Sequence, residues 1–160
     1  TLMECGVAAK RDLKKGRTSP AVERLIECNI LLSGVGFESG GLALAHAIAN
    51  GLTILPECRA MHGETVAFGL VVQLRLERAS ELDQVLEFCQ RIGLPTTLEE
   101  LGLGEISDAD LQGVANAVFR NERNMANEQA KVTKQKLVQL MCEASLGTRL
   151  TLCHRGGDRP

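Results

Sequence analysis

Two histidines in an apolar, glycine-rich stretch are the residues of this sequence best suited to chemistry. His46 and His62 lie in the segment 33–69, which also holds the densest glycine cluster of the chain, Gly34, Gly36, Gly40 and Gly41. Burying an imidazole among apolar side chains costs free energy unless both of its ring nitrogens have partners. A metal ion satisfies one nitrogen and a nearby acceptor the other, and two imidazoles suit Zn²⁺ or Fe²⁺. Because a catalytic zinc normally has three protein ligands and an open position, this interpretation requires a third ligand.

Each of these features also has an ordinary structural interpretation. A histidine on an apolar helix is more often a satisfied core residue than a metal ligand, and such motif matches produce many false positives. The glycine cluster is either a tight connection between helices or an anion site at the start of the next helix. No Gly-Lys-Ser/Thr follows it and no strand precedes it, so a Walker loop and a dinucleotide fingerprint are excluded. Phe37 fits either the core or the wall of a small-molecule pocket.

Composition narrows the class of protein. The 160 residues are 44% hydrophobic and 24% charged, which is typical of one globular domain. A net charge of −2 and the lack of Trp and Tyr argue against nucleic-acid and anionic-membrane partners. The six scattered cysteines, with no Cys-x-x-Cys pair, predict reduced thiols in a cytoplasmic protein. We expect no signal peptide and no membrane-spanning helix, because the sequence shows neither a leader pattern nor an apolar run long enough to cross a bilayer.

Apolar residues recur at helical spacing along most of the chain, and no stretch alternates with period two. We therefore predict an all-α bundle of about six to eight helices. The segment 33–41 is predicted to be a link, followed by a helix from about Ser39 to Asn50 and another from His62 to about Ala79. Further helix starts are predicted at five capping positions, Ser19, Ser80, Thr97, Ser107 and Thr133, and the one at Thr97 opens only a short turn of helix. Residues 1–146 would form a single domain, and residues 147–160 a flexible tail.

The histidine-containing stretch also carries the motifs of a known enzyme family. LLSGVGFESGGL at 31–42, AHAI at 45–48 and NGLT at 50–53 resemble a signature of the glycerol dehydrogenases. HGETVAFG at 62–69 is similar to their second signature, and IGLPTTLEELG at 92–102 to a recurrent segment. The resemblance covers residues 1–128 and fades beyond 130. These enzymes belong to the metal-dependent, so-called iron-containing, alcohol dehydrogenases.

The resemblance implies a fold, a reaction and a set of site residues. The chain would correspond to the C-terminal helical domain of glycerol dehydrogenases and dehydroquinate synthase-like proteins, which follows an α/β nucleotide-binding domain. A zinc ion, or iron in some relatives, would lie between the two domains, and NAD would take a hydride from glycerol to give dihydroxyacetone. By position, His46 and His62 match the two histidine ligands, and Phe37 matches the aromatic residue that lines the substrate pocket. The metal would act as a Lewis acid on the bound alcohol.

The sequence departs from the family pattern at several positions. The third metal ligand of the family is an upstream aspartate, and Asp12 does not match its motif. Ala49 and Arg123 stand where the family usually has histidines. Because the nucleotide-binding half is missing and the pattern at Thr1 is already helical, we expect part of a larger enzyme, inactive by itself. The alternative is a non-catalytic helical remnant that self-associates into a homo-oligomer through uncovered apolar faces of the helices at 1–14 and 39–52.

Overall fold

Helices form all of the regular secondary structure between residues 1 and 154. The computed structural model describes the backbone of these residues and the side chains of residues 1–145. No strand occurs in this part of the chain, which confirms the predicted all-α class. The helices are α1 Leu2–Leu13, α2 Pro20–Glu27, a π-helical segment Cys28–Leu32, α3 Ser33–Gly40, α4 Leu44–Leu52, α5 His62–Glu77, α6 Leu82–Ile92, α7 Asp108–Arg120, α8 Glu122–Ala126 and α9 Lys134–His154.

Several helix ends lie where local sequence signals predict them. The Ser19 hydroxyl accepts a hydrogen bond from the Val22 N–H, and Pro20 opens α2. Ser107 and Asp110 cap the start of α7 reciprocally, since each side chain accepts from the other's backbone N–H. Gly93 ends α6 in the left-handed conformation, with φ of 67°. These caps act within one turn of helix, so nearby residues are sufficient to specify them.

The main core lies where α4 meets α5, α7 and α9. Helix α4 is buried on several sides, as is typical of a helix that is apolar nearly all round. Its central side chains belong to one core with those of the three other helices. The fully buried large residues that these four helices contribute are Leu44, Ile48, Leu52, Phe68, Val71, Val72, Val114, Val118, Leu137 and Met141. Helix α4, which carries His46, is therefore the best anchored element of the described chain.

A second contact joins α1 to α6. The Lys10 ammonium group donates a hydrogen bond to the Ile92 carbonyl at the end of α6, where helix carbonyls lack intrahelical partners. Gly6 faces the ring of Phe88, and a Cβ at Gly6 would lie only 2.8 Å from that ring. The buried thiol-bearing residues Cys5 and Cys89 belong to the same two helices. Helix α1 is thus fixed to the outside of the bundle through α6.

Asp12 holds the corner between α1 and α2. Its carboxylate accepts a hydrogen bond of 2.8 Å from the Arg17 guanidinium. A hydrogen bond from Ser19 and this contact with Arg17 lower the pKa of the Asp12 carboxyl below its ordinary value. The same residue's backbone carbonyl accepts from Lys15 and Arg17. The start of α2 is therefore tied to the end of α1.

The glycine-rich segment differs from the prediction. Residues predicted as a link continue the helix from Pro20 through the π-helical segment to Gly40, and α4 begins at Leu44 rather than near Ser39. An interior glycine costs a helix only about 1 kcal/mol relative to alanine, so the glycines weaken the helix without stopping it. The break comes at Gly41, whose φ of 68° favours glycine. Across it, the helical axes turn by 102°.

The end of this long helix is exposed on every side. We call residues 29–40 the arm, and all of them are exposed. Five large apolar side chains lie on it, with exposed fractions between 46% for Phe37 and 74% for Ile30. They are Ile30, Leu31, Leu32, Val35 and Phe37. Nothing in the described part of the chain buries them.

Two further differences concern short segments. The Thr97 hydroxyl accepts from the Glu100 N–H as a cap would, but a turn rather than a helix follows. The short helix α8 was not predicted, because five residues are too few to show a helical period.

The last predicted segment is only partly described. The backbone of residues 147–154 continues α9, and residues 155–160 lie outside the described residues. A single domain at 1–146 with a flexible tail at 147–160 stays a prediction.

The length and apolar composition of a helix indicate whether it is able to cross a membrane. Within the described residues no single helix is long and apolar enough to cross a membrane. The strongly bent pair Pro20–Gly40 and Leu44–Leu52 is long and apolar enough only when its two helices are taken together.

Candidate metal centre

The fold brings the two histidines together. His46 lies in the first turns of α4, and His62 is the first residue of α5. Their ring centroids are 5.8 Å apart, and the ring planes are inclined by 53°. Two imidazoles on one tetrahedral zinc, each with a Zn–N bond of about 2.0–2.1 Å, have centroids roughly 5 Å apart. A small side-chain adjustment would therefore bring both rings onto one ion.

The surroundings favour the neutral form of His46. His46 is half-buried, whereas His62 is exposed. Burial lowers the pKa of His46, and the charge of a protonated His62 lowers it further. Metal ions bind the neutral imidazole, so this environment keeps His46 in the form that can act as a ligand.

A glycine lets α5 approach the backbone of α4 next to His46. A Cβ placed on Gly69 would lie 2.3 Å from the carbonyl oxygen of Ala45, the residue directly before His46. Any other residue at position 69 would push the two helices apart. Sequence reasoning did not single out Gly69, although a glycine inside an otherwise regular helix is a signal of close approach.

Two amide side chains hold the start of α4. The Ala45 N–H donates to Gln73 Oε1 on α5 at 2.9 Å. Asn127 Nδ2 donates to the Leu42 carbonyl at 2.8 Å. Sequence reasoning missed both amides, because their partners are distant in the chain and no local pattern marks them.

Phe37 lies apart from the core. It is on the arm, with an exposed fraction of 46%. This exposure contradicts the interpretation of Phe37 as a core aromatic. Its interpretation as the wall of a substrate pocket stays a prediction.

Among the cavities lined by described residues, two lie in other parts of the bundle. One of about 380 Å³ lies beside α9 and is lined by residues that include Leu103, Ile106 and Cys142. Another of about 330 Å³ is lined by Glu64, Gln90, Gly93, Leu94, Pro95 and Glu100. Neither lining includes His46 or His62, so the histidine pair is not a wall of these cavities.

Comparison with known proteins supports the resemblance seen in the motifs. The chain is 46% identical over 138 residues to a glycerol dehydrogenase of Thermotoga maritima, and 84% of the chain is matched. It is 42% identical over 149 residues to a glycerol dehydrogenase of Citrobacter freundii, with 91% of the chain matched. No family model matches the chain.

The fold agrees as well. The crystal structure of glycerol dehydrogenase from Schizosaccharomyces pombe superimposes with a TM-score of 0.89 at 34% identity, over 99% of this chain. The chain is a glycerol dehydrogenase homologue. It spans only part of its relatives, namely 38% of the Thermotoga protein, 41% of the Citrobacter protein and 41% of the Schizosaccharomyces chain.

The donor set of this glycerol dehydrogenase homologue fits part of a metal site. Among the described residues no group of three or more His, Cys, Asp and Glu side chains could hold a metal ion. The Glu64 carboxylate accepts from the Met61 N–H at 2.7 Å and so caps the start of α5. Asp12 is bonded to Arg17 at the distant α1–α2 corner. The two imidazoles can supply two ligands, and the remaining ones would be water or groups outside these residues.

Proposed function

We propose that this chain is the metal- and substrate-binding part of an NAD-dependent polyol dehydrogenase that oxidises glycerol to dihydroxyacetone. The observation that carries the proposal is the histidine pair, with ring centroids 5.8 Å apart in a homologue of glycerol dehydrogenases. In this proposal His46 and His62 bind zinc, with iron as the alternative metal, and Phe37 lines the polyol site. The cysteines whose side chains the structure describes are free thiols, which suit a cytoplasmic location; they are Cys5, Cys28, Cys58, Cys89 and Cys142.

Each group has a defined task in this proposal. The bound metal supplies Lewis-acid chemistry, lowering the pKa of the alcohol that it binds. The rings of His46 and His62 would bind and orient the ion, and the exposed ring of Phe37 offers an apolar surface to the carbon chain of the polyol. We assign NAD binding and the missing ligand to protein outside these 160 residues, because the chain spans about two fifths of its relatives.

Metal content tests the assignment of the ligands. The purified chain would be incubated with Zn²⁺ and dialysed, and bound zinc would be counted by elemental analysis. We expect His46→Ala and His62→Ala to lose most of the bound zinc, because each removes one of two ligands. Gln139→Ala, which removes an exposed polar side chain on α9, is the control and should bind as the parent does. Equal zinc in all four proteins would refute the site.

Activity tests the assignment of the remaining groups. We expect the purified chain alone to show no glycerol-dependent reduction of NAD, since binding of both substrates must be combined in one site for hydride transfer. Clear turnover by the chain alone would contradict the division of labour proposed here.

The arm favours a second candidate, a non-catalytic helical module that self-associates. Its exposed apolar surface lies on the arm and not on the helix predicted at 39–52, because α4 is buried in the core. The five exposed apolar side chains of the arm form the kind of surface that normally contacts a partner. This candidate predicts a homodimer or higher oligomer by light scattering at micromolar concentration, and a shift toward monomer in Ile30→Ser. A monomeric parent would count against it. Zinc binding that is lost in His46→Ala and His62→Ala would favour the enzyme, and absence of zinc binding in an oligomeric parent would favour the module.

A further inference from the structure

Helix α4 begins without a side-chain cap of its own. The first N–H groups of a helix have no intrahelical partner and are usually capped by a polar residue at the N-cap. Here the N-cap is Ala43, which has no acceptor. Because Ala45 is buried, its N–H cannot turn to water instead. The side-chain oxygen Oε1 of Gln73 on α5 accepts a hydrogen bond from this N–H at 2.9 Å, and so a side chain of the neighbouring helix caps α4.

The same residue of α4 is held by α5 on its other side. The Ala45 carbonyl lies so close to Gly69 that no Cβ fits between them. Gln73 follows Gly69 by one turn on the same face of α5. Both polar backbone groups of Ala45 are therefore positioned by the helix that starts at His62, and His46 follows Ala45 directly in the chain.

A second hydrogen bond orients the Gln73 amide. Gln73 Nε2 donates to Glu77 Oε1 at 2.8 Å, one turn further along α5. A glutamine amide has one acceptor oxygen and one donor nitrogen, so fixing the nitrogen on Glu77 turns the oxygen toward Ala45. Two successive hydrogen bonds therefore connect Glu77 to Gln73 and Gln73 to Ala45, and they link α5 to the first turn of α4.

We propose that Gln73 is a positioning residue for the histidine pair. Its side-chain amide oxygen fixes the first turn of α4 to α5, and this keeps the ring of His46 facing the ring of His62. The part of this inference that concerns metal affinity rests on the proposed function, whereas the part that concerns ring geometry does not.

Three variants and a control test this role. Gln73→Ala removes the acceptor, and Gln73→Met removes it while keeping a side chain of similar volume. The double variant Q73E/E77Q restores an acceptor at 73 and a donor at 77, and the start of a helix favours the added negative charge. The control is Gln139→Ala on α9, where an exposed Gln139 makes the same kind of bond to Glu143, at 2.6 Å.

The first readouts need no metal. In labelled protein we would measure hydrogen exchange at the Ala45 amide and the nuclear Overhauser effect between the rings of His46 and His62. We expect exchange to accelerate roughly tenfold or more in Gln73→Ala and Gln73→Met, because one hydrogen bond is lost. The ring-to-ring effect should weaken in both. Q73E/E77Q should recover both signals, and Gln139→Ala should change neither.

Zinc affinity separates positioning from general stabilisation. At temperatures where circular dichroism shows full helicity, Gln73→Met should bind Zn²⁺ several-fold more weakly than the parent. If its melting temperature falls while the ring-to-ring effect and zinc affinity stay at the parent values, Gln73 only stabilises the fold and the proposal is wrong. If the parent binds no zinc, the proposed function fails, and the amide and ring measurements still decide the role of Gln73. If Gln73→Ala does not fold, Gln73→Met and Q73E/E77Q give the same decision.

Discussion

The contact between α4 and α5 and the arm at residues 29–40 are both apolar, helical and rich in glycine, yet they have opposite surroundings. At the contact, a Cβ on Gly69 would collide with the Ala45 carbonyl at 2.3 Å. On the arm, a Cβ on Gly34 or Gly36 would meet no atom within 4 Å. Phe68 on α5 is fully buried, whereas Phe37 on the arm is 46% exposed. Similar composition therefore leads to burial only where a second helix is placed to receive it.

The two phenylalanines should show the largest contrast. Phe68→Ala would leave a cavity in the core and is expected to lower the free energy of unfolding by about 3–5 kcal/mol. Phe37→Ala leaves no cavity and should change it by less than about 1 kcal/mol. Urea unfolding followed by circular dichroism measures both. Equal losses would mean that the arm is covered in solution by protein that buries Phe37.

The glycines should show a smaller contrast of opposite sign. Gly69→Ala forces α4 and α5 apart at a backbone contact, and we expect a loss of about 1–3 kcal/mol. Gly34→Ala and Gly36→Ala place a better helix former in open space, and each should be neutral or stabilising by up to about 1 kcal/mol. The same unfolding experiment compares them. Destabilisation by the arm substitutions as large as that of Gly69→Ala would show that a partner approaches the arm closely.

The pH dependence of stability at the start of the long helix Pro20–Gly40, which we call its root, should give the smallest effect. Because hydrogen bonds from Ser19 and Arg17 lower the pKa of Asp12 in the folded chain, its contribution to stability is complete above the unfolded pKa, near 3.8. The contribution is lost as the pH falls through the lower, folded pKa. Asp12→Asn should therefore melt at a lower temperature than the parent at pH 6, and the difference should shrink below about pH 4.

The control for this prediction is another capping carboxylate. Hydrogen bonds from Ser107 also lower the pKa of Asp110, at the start of α7 and away from the arm. Asp110→Asn should show a similar pH window. Limited proteolysis should separate the two variants, because only Asp12→Asn loosens the root of the long helix and should speed cleavage within residues 14–40. Identical cleavage patterns in both variants would disprove a role for Asp12 in holding that root.

Predictions from the sequence were most accurate where a structure depends on nearby residues. The structure contains the capped helix starts at Ser19 and Ser107 and the end of α6 at Gly93. It also contains the apolar helix around His46. The predicted link at 33–41 was wrong because four glycines suggest a break, while only Gly41 adopts a conformation that ends a helix. Two histidines in successive helices were recognised as candidates, but spacing alone does not state how far apart the rings lie.

By itself the sequence determined the helical class, most helix ends and the relation to glycerol dehydrogenases, because caps, periodicity and motifs depend on residues that are close together in the chain. The tertiary structure alone decided that the apolar side chains of the arm are left exposed. It also decided the clamp on Ala45, since Gln73 lies 28 positions from it along the chain. Such contacts depend on how whole helices pack, and a linear pattern does not contain the distance between two helices.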